Sequence, residues 1–293
     1  MKNVLLVLAF LLFIGAAVWN FVIADRLLVF YPDGWTWNSS VIGTIGFADE
    51  ATGEFPTDVQ FPDQDAINDT TRTVTVSYEG APAGQALISD YFISRNVATG
   101  AIDWEFTYTA TVDPETGHYV GDFAGDYYFL PPDIQKQTYS VRNSSYQGLP
   151  MTFQAEEELA GINTYRFVYS GDLPNTAAYA EYVELEPNQI ITCFDFELIY
   201  WVEPTTSEIL KYRERCPGDY VVDSTTGDRL NGLQRWSGET GGDDLIRRAD
   251  EINGKLTNTR WYKTYLPALL LVGGIVALGA AFVIKPSQTA AAA

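Results

Sequence analysis

Two cysteines, a single histidine and a large excess of carboxylates are the residues of this chain with the means to do chemistry. Cys193 and Cys216 lie equidistant from the middle of Glu203-Pro204-Thr205-Thr206. If that segment is a symmetrical hairpin turn, the sulfurs face each other across adjacent strands and form a structural disulfide. An oxidising exterior would preserve the bond; two buried free thiols are the alternative. The absence of Cys-x-x-Cys spacing argues against a redox pair, and two sulfurs without a nearby histidine argue against zinc. His118 directly follows the Thr116-Gly117 turn and has no Gly-x-Ser-x-Gly context around it, so it reads as a surface residue and not as a catalytic base.

The carboxylates are no more specific. Glu156-Glu157-Glu158 and the pair Asp122 and Asp126 lack the ligand spacing of a calcium loop and read as a solvated acidic face. There is no phosphate-cradling glycine-lysine motif and no dinucleotide fingerprint. The sequence therefore assigns no catalytic, cofactor-binding or metal residue, and no cofactor is expected. Asn38-Ser39-Ser40, Asn68-Asp69-Thr70 and Asn143-Ser144-Ser145 satisfy the acceptor rule for N-glycans, which matters only in a host that glycosylates exported proteins.

Charge narrows the partners. The chain has 38 acidic against 18 basic side chains, a formal net charge of -20. A surface of that sign repels nucleic acid phosphates, which excludes nucleic acid as a partner.

All the acids fall between two apolar runs, Val4 to Ile23 and Tyr265 to Ile284, each long enough to cross hydrocarbon as a helix. The layout predicts a cytoplasmic N-terminus (1–3), a transmembrane helix (4–23), an extracytoplasmic domain (25–264), a second transmembrane helix (265–284) and a cytoplasmic tail (285–293). Lys2 favours a cytoplasmic start, and Trp19 suits the outer interface. Arg260 and Lys263 weaken that orientation, whereas Trp261, Tyr262 and Tyr265 form an aromatic belt. Cleavage as a signal peptide after Val22-Ile23-Ala24 is the rival reading of the first run. Gly273, Gly274 and Gly279, with Ala277 and Ala281, suit close helix approach, and Pro267 is placed in a helical first turn.

Between the runs the periodicity is that of strands. Ile102 to Val112 alternates without a miss, which puts Ile102, Trp104, Phe106, Tyr108, Ala110 and Val112 on one face. Trp104 and Phe106 are expected to pack the core. Such alternation marks an antiparallel sheet. Arg72 to Tyr78, Thr164 to Tyr169 and Phe194 to Val202 are further strands, the last with Phe194, Phe196, Leu198, Tyr200 and Val202 in phase. Residues 113–117, 203–207 and 223–227 repeat one turn, in which an acid accepts local amides and the final residue turns left-handed. Thr176 to Tyr182 reads as a short helix, Asp243 to Leu256 as an amphipathic one interrupted near Asn253-Gly254, and Tyr31 to Gln64 as mostly turn.

Asp133-Ile134-Gln135-Lys136-Gln137-Thr138-Tyr139, Gly161-Ile162-Asn163-Thr164-Tyr165-Arg166-Phe167 and Tyr200-Trp201-Val202-Glu203-Pro204-Thr205-Thr206 together resemble the strands and the acid-Pro-x-Thr turn of the PorA porin family, two-span envelope proteins known chiefly from actinobacteria. The resemblance runs from the first apolar run to the second. It implies an extracytoplasmic domain, two membrane helices and a cell-envelope or channel association, with no catalytic residues to carry over. The expected molecule is mainly β, an antiparallel sheet ectodomain (sandwich-like or mixed β) flanked by N- and C-terminal transmembrane helices. Its expected role is non-enzymatic binding or envelope assembly in the cytoplasmic membrane, with an oligomeric channel or transport accessory as one alternative and an extracellular hydrolase as another. The lipid bilayer and a homo-oligomer or cell-envelope protein are its expected partners, and the ligand is not identified.

Overall fold

The computed structural model describes residues 2–24, 31–55, 66–142, 147–179 and 183–283. The chain divides into two compact units, one of Met1–Val29 with Asn253–Ala293 and one of Phe30–Ile252. Lys2–Phe21 and the last part of a helix spanning Gly242–Val283 are long and apolar enough to cross a membrane. In sequence they flank a large central β domain, the arrangement of a chain held in the membrane at both ends with its core extracytoplasmic.

In the first unit, α1 (Lys2–Val18) runs into a π-helical turn, Trp19–Ile23. A second π-turn, Trp261–Tyr265, leads into the apolar helix Leu266–Val283. The two spans lie antiparallel: Trp19 stacks on Tyr262 with ring centroids 6.1 Å apart, and Lys2 Nζ sits 5.9 Å over Phe282. Small residues make the approach close. Ala9, Ala16, Gly274, Ala277 and Ala281 are buried, and a Cβ on Gly274 would come 2.8 Å from the Phe13 ring. Gly279 faces open space instead.

Pro267 is not in a first turn, because the helix runs through it from Gly242. Its missing N–H has a visible consequence. The Leu266 amide bonds the Trp261 carbonyl in π register, so the Tyr262 carbonyl would next require the amide of Pro267, which does not exist. The Trp19 indole supplies the donor, Nε1 to O 2.9 Å. A helix carbonyl left without its amide is costly wherever water is scarce, so this bond joins the two helices at the point where the second lacks a donor of its own.

The β domain is one 12-stranded sheet, ordered β4-β3-β2-β1-β12-β9-β8-β7-β6-β5, with the hairpin of β10 (Asp219–Asp223) and β11 (Arg229–Gly232) branching from β8. Here β1 is Thr36–Phe47, β2 Ala66–Ser77, β3 Ala86–Asn96, β4 Ile102–Val112, β5 Thr138–Val141 and β6 Leu149–Leu159. The remaining strands are β7 Ile162–Pro174, β8 Gln189–Val202, β9 Ile209–Cys216 and β12 Gln234–Thr240. Every strand pair is antiparallel, so the expected sheet takes the form of a single curled layer. Beyond β4, the bridges Val112 to Tyr119, His118 to Tyr127 and Tyr127 to Val141 carry the pairing on to β5, closing the sheet on itself at that end. Two apolar clusters fill its inner face. One holds Val74, Val76, Ile88 and Val112, the other Met151, Phe167, Phe196, Leu198 and Val202.

Three expectations need correction. In the described part of the stretch expected to be turn-rich, residues 31–55, the strand-like pieces join into one 12-residue strand, β1, paired with both β2 and β12. The helix Gly242–Arg260 passes through Asn253-Gly254 unbroken, because one interior glycine costs only about 1 kcal/mol. Phe194 does not share a face with Phe196. Asp195 has φ 53°, and this left-handed residue reverses the alternation, leaving Phe194 beside Tyr220 and under the Arg229 guanidinium. Of the short helix, α2 (Thr176–Tyr179) is present and residues 180–182 lie outside the described residues. The helix Gly242–Arg260 is hereafter α3, and Leu266–Val283 is α4.

Among the described residues five turns share one construction, at 49–53, 96–100, 113–117, 203–207 and 223–227. In each, the first side chain accepts the amides of the third and fourth residues. The first carbonyl accepts the amide of the fifth at 2.8 Å, and the fifth residue has φ between 58° and 80°. These amides hold the Asp49 and Asp223 carboxyls below their usual range. Ser207 takes the left-handed place that glycine fills in the other four, and its hydroxyl donates to the Pro131 carbonyl.

Replacing Trp19 with Phe keeps the ring stack but removes the donor to Tyr262. The spans of W19F should associate less tightly by roughly 1–2 kcal/mol, read in membranes as slower oxidative cross-linking between cysteines placed at positions 12 and 273. Unchanged cross-linking would mean that the indole bond contributes nothing.

Candidate functional site

The cysteines do meet, but not through a symmetrical turn. The pairing of β8 with β9 sets Glu197 opposite Arg215, and that of β8 with β10 sets Cys193 opposite Asp219, so the register places Cys193 and Cys216 off each other. The kink at Asp195 shortens the diagonal between them. Their Cα atoms are 6.0 Å apart and the sulfurs are bonded. Asp219, completely buried, lies against the bridge. It accepts hydrogen bonds from Tyr179 Oη (2.6 Å) and Asn175 Nδ2 (2.9 Å). Burial pushes its carboxyl up to about 6 while those two donors pull it back, and burial beside Asp219 pushes the Tyr179 phenol well above its usual range. The three side chains converge closely enough for a metal. Thiolate is the metal-binding form of cysteine, however, and here each sulfur is spent on the other, leaving one carboxylate.

The remaining sequence candidates have mundane partners. His118 lies on the Tyr127 ring, centroids 3.8 Å apart. Asp126 accepts from Ser140 Oγ (2.6 Å) and Arg142 Nε (2.8 Å). Glu156 pairs with Lys136, while Glu157 takes the Trp201 indole at 2.8 Å and Arg166 at 2.6 Å. Two of the three acids of the run are therefore ion-paired, on opposite sides of β6, and Glu158 is exposed. Asn38 is exposed, its Oδ1 accepting from Thr73 Oγ1. Asn68 is 1% exposed and its amide donates to Asp103 and Ser94, which leaves no room for a glycan in this fold. Asn143 lies outside the described residues.

What the sequence did not disclose is a polar interior. Arg72, in phase with the buried Val74 and Val76, points inward and grips Asp90 through two bonds, Nε to Oδ1 2.9 Å and Nη2 to Oδ2 2.6 Å. Tyr128 Oη donates to the same carboxylate at 3.0 Å. From the first turns of α3, Arg248 reaches Glu208 (2.9 Å) and the Ile209 carbonyl (2.7 Å), at 3% exposure. The Trp37 ring lies between the guanidinia, 5.7 Å from Arg72 and 5.1 Å from Arg248. The isolated signal available was Arg72 itself, a cation in phase with the strand's buried valines. The space these groups enclose, with Trp35 and Tyr200, is about 60 Å³. That holds a few waters and is far below the roughly 300 Å³ of an organic ligand site.

A larger concavity of about 560 Å³ lies on the outer face, across β2, β1, β12, β9 and β8. Ile42, Ile67, Glu197, Arg213, Ser237 and Glu239 line it, and Glu197 and Arg213 are bridged at 2.8 Å. Gly43 and Gly238 face each other in its floor, where a Cβ on Gly43 would strike the Ser237 carbonyl.

Glu214, on the inner face beside Gly238, is pushed up to about 7 by burial, with the Arg72 guanidinium pulling the other way. An acid whose folded pKa exceeds its unfolded value stabilises the fold in its protonated form. That advantage is full below about 4.5 and is lost as pH rises through about 7. E214Q should therefore flatten the decline. Between pH 5 and pH 8 the native protein should lose about 1–2 kcal/mol more unfolding free energy than the variant, a figure discounted for the partial exposure of Glu214. Denaturant titration of the detergent-purified chain at both pH values reads this directly, and parallel curves would refute it.

Among solved structures, an acyl-CoA hydrolase from Agrobacterium tumefaciens is similar at 9% identity, covering 72% of this chain and 98% of its own, with a TM-score of 0.18; a likeness that low carries no argument. No curated protein matches the chain. The family described as Porin PorA matches residues 3–283, from the start of the first span to the end of the second. PorA porins are not catalysts, in keeping with a non-enzymatic envelope protein. The chain belongs to the PorA porin family.

Proposed function

We propose that this protein serves the passage of solutes through the cell envelope as an oligomeric porin. The family match across both spans and the domain between them carries this reading. Physical constraints shape it. α4 contains no charged residue and α1 has Lys2 alone, at its first position. One antiparallel pair of such helices offers ions no polar lining, so the passage would arise where several copies associate. A role as accessory to another transporter rests on the same family match.

A second reading, presentation of a binding or assembly surface without transport, is favoured by the outer concavity of about 560 Å³ with its mixed charges and two exposed isoleucines. Such a surface suits a partner better than a conduction path. Reconstitution separates the two. Full-length protein of verified oligomeric mass, placed in planar bilayers, should give discrete conductance steps whose size falls with larger permeant ions. Silent bilayers at that mass would overturn pore formation.

A further inference from the structure

The branch of the sheet, where β10 leaves β8 beside the end of β9, brings three ligand-bearing side chains to one point. Cys193 belongs to β8, Cys216 ends β9, and Asp219 opens β10 directly opposite Cys193. All three residues are completely buried, and their two sulfurs and a carboxylate oxygen lie within 4.8 Å of one another. Cys216-Pro217-Gly218-Asp219 also has the spacing of a metal knuckle, two ligand residues separated by a two-residue turn.

The carboxylate supplies a second, independent observation. Tyr179 and Asn175 both donate to its Oδ2. Its Oδ1 faces Cys216 Sγ at 3.9 Å. A sulfur already bonded to Cys193 has no hydrogen to donate, so among the described residues Oδ1 is a buried acceptor without a donor. Such an atom is costly to bury. This one is aimed at the place where reduction of the bridge creates two further metal ligands.

We propose that Cys193, Cys216 and Asp219 form a zinc site when the disulfide is reduced, so that the branch is pinned by either of two cross-links, a sulfur–sulfur bond or a metal ion. A dithiol supplies the two electrons and two protons of the opening: its own sulfurs join, and the protein S–S bond becomes two thiols. Zinc then takes both sulfurs as thiolates, releasing their two protons, with Asp219 Oδ1 as the third ligand and water in the fourth tetrahedral position. Two thiolates with one carboxylate select zinc over calcium and magnesium, which demand oxygen throughout.

The adjustment required is small. Around a tetrahedral zinc, with Zn–S about 2.3 Å and Zn–O about 2.0 Å, sulfur and oxygen lie about 3.5 Å apart. Cys216 Sγ and Asp219 Oδ1 are already at 3.9 Å. The two sulfurs must part to roughly 3.8 Å, a separation that Cα atoms 6.0 Å apart accommodate by side-chain rotation. Tyr179 and Asn175 then hold the ligating carboxylate through its other oxygen, the usual support for such a ligand. The site lies wholly within the β domain and does not depend on solute passage.

Full-length protein in detergent, reduced with a dithiol in mild denaturant and desalted under argon, can be titrated with cobalt(II) as a spectroscopic stand-in for zinc. One cobalt per chain should bind, with thiolate charge-transfer absorption in the near ultraviolet and visible bands of tetrahedral strength, and zinc should displace it. The oxidised protein should show neither. D219N should weaken binding at least about tenfold. N175A keeps all three ligands and loosens only the carboxylate, so it should weaken binding by a smaller factor and serves if D219N fails to fold, folding being read from recovery of the Cys193–Cys216 peptide on reoxidation. The proposal is overturned if the reduced protein gives no charge-transfer band, if the oxidised protein binds equally, or if both variants bind as tightly as the native chain.

Discussion

A backbone amide or carbonyl without a partner is expensive wherever water is excluded, and most of this molecule can be read as the settling of such groups. In the membrane the demand is severe. Pro267 withholds one donor from the second helix, and the indole of Trp19 on the first provides it, which adds a directional bond to the apolar, aromatic and small-residue contacts between the two. In the β domain the demand falls on turns and edges. Five turns settle theirs with a single side chain each, and segment 118–128 carries hydrogen bonding from one end of the sheet to the other.

The interior follows a second rule, that a charge removed from water must be paired. Arg72 with Asp90 and Arg248 with Glu208 obey it, and Trp37 fills the space between the two cations. Such pairs are poor sources of net stability compared with apolar packing, but removing one partner strands the other. They sit where the first turns of α3 meet the starts of β1 and β9 and fix how that helix meets the sheet: Arg247 reaches the Asn38 carbonyl and Asp244 accepts from Ser39. Glu214 breaks the rule and keeps its proton to higher pH instead.

How much of this was legible beforehand depended on distance along the chain. The antiparallel β domain, the two apolar spans and the acid-led turns are local patterns, and each could be read from a few neighbouring residues. The turns at 49–53 and 96–100 carry no proline, and Asp223-Ser224 shows that none is needed; the shared elements are the leading Asp, Asn or Glu, the threonine at the fourth place and the left-handed fifth residue. β1 was obscured because its inner face carries Ser39 and Gly43 among Trp37 and Val41, so alternation by hydrophobicity fails although alternation by direction holds. Trp104 and Phe106 were expected in the core and are only half-buried, since burial depends on what faces a strand and β4 is an edge. The disulfide was anticipated by symmetry and achieved by a kink at Asp195 that symmetry does not contain. The ion pairs join residues far apart in sequence, and no periodicity announces them.

β1 and β12 are neighbours running in opposite directions, with Val41 beside Thr240. The chain therefore comes into the sheet and departs from it at the same rim, one strand's width apart. A module attached in this way resembles a cassette on two adjacent leads: its contents can lengthen, shorten or be replaced by another fold through evolution without either lead being moved. Diversification of the exposed portion, under a pair of spans held constant, is the freedom that this connectivity confers.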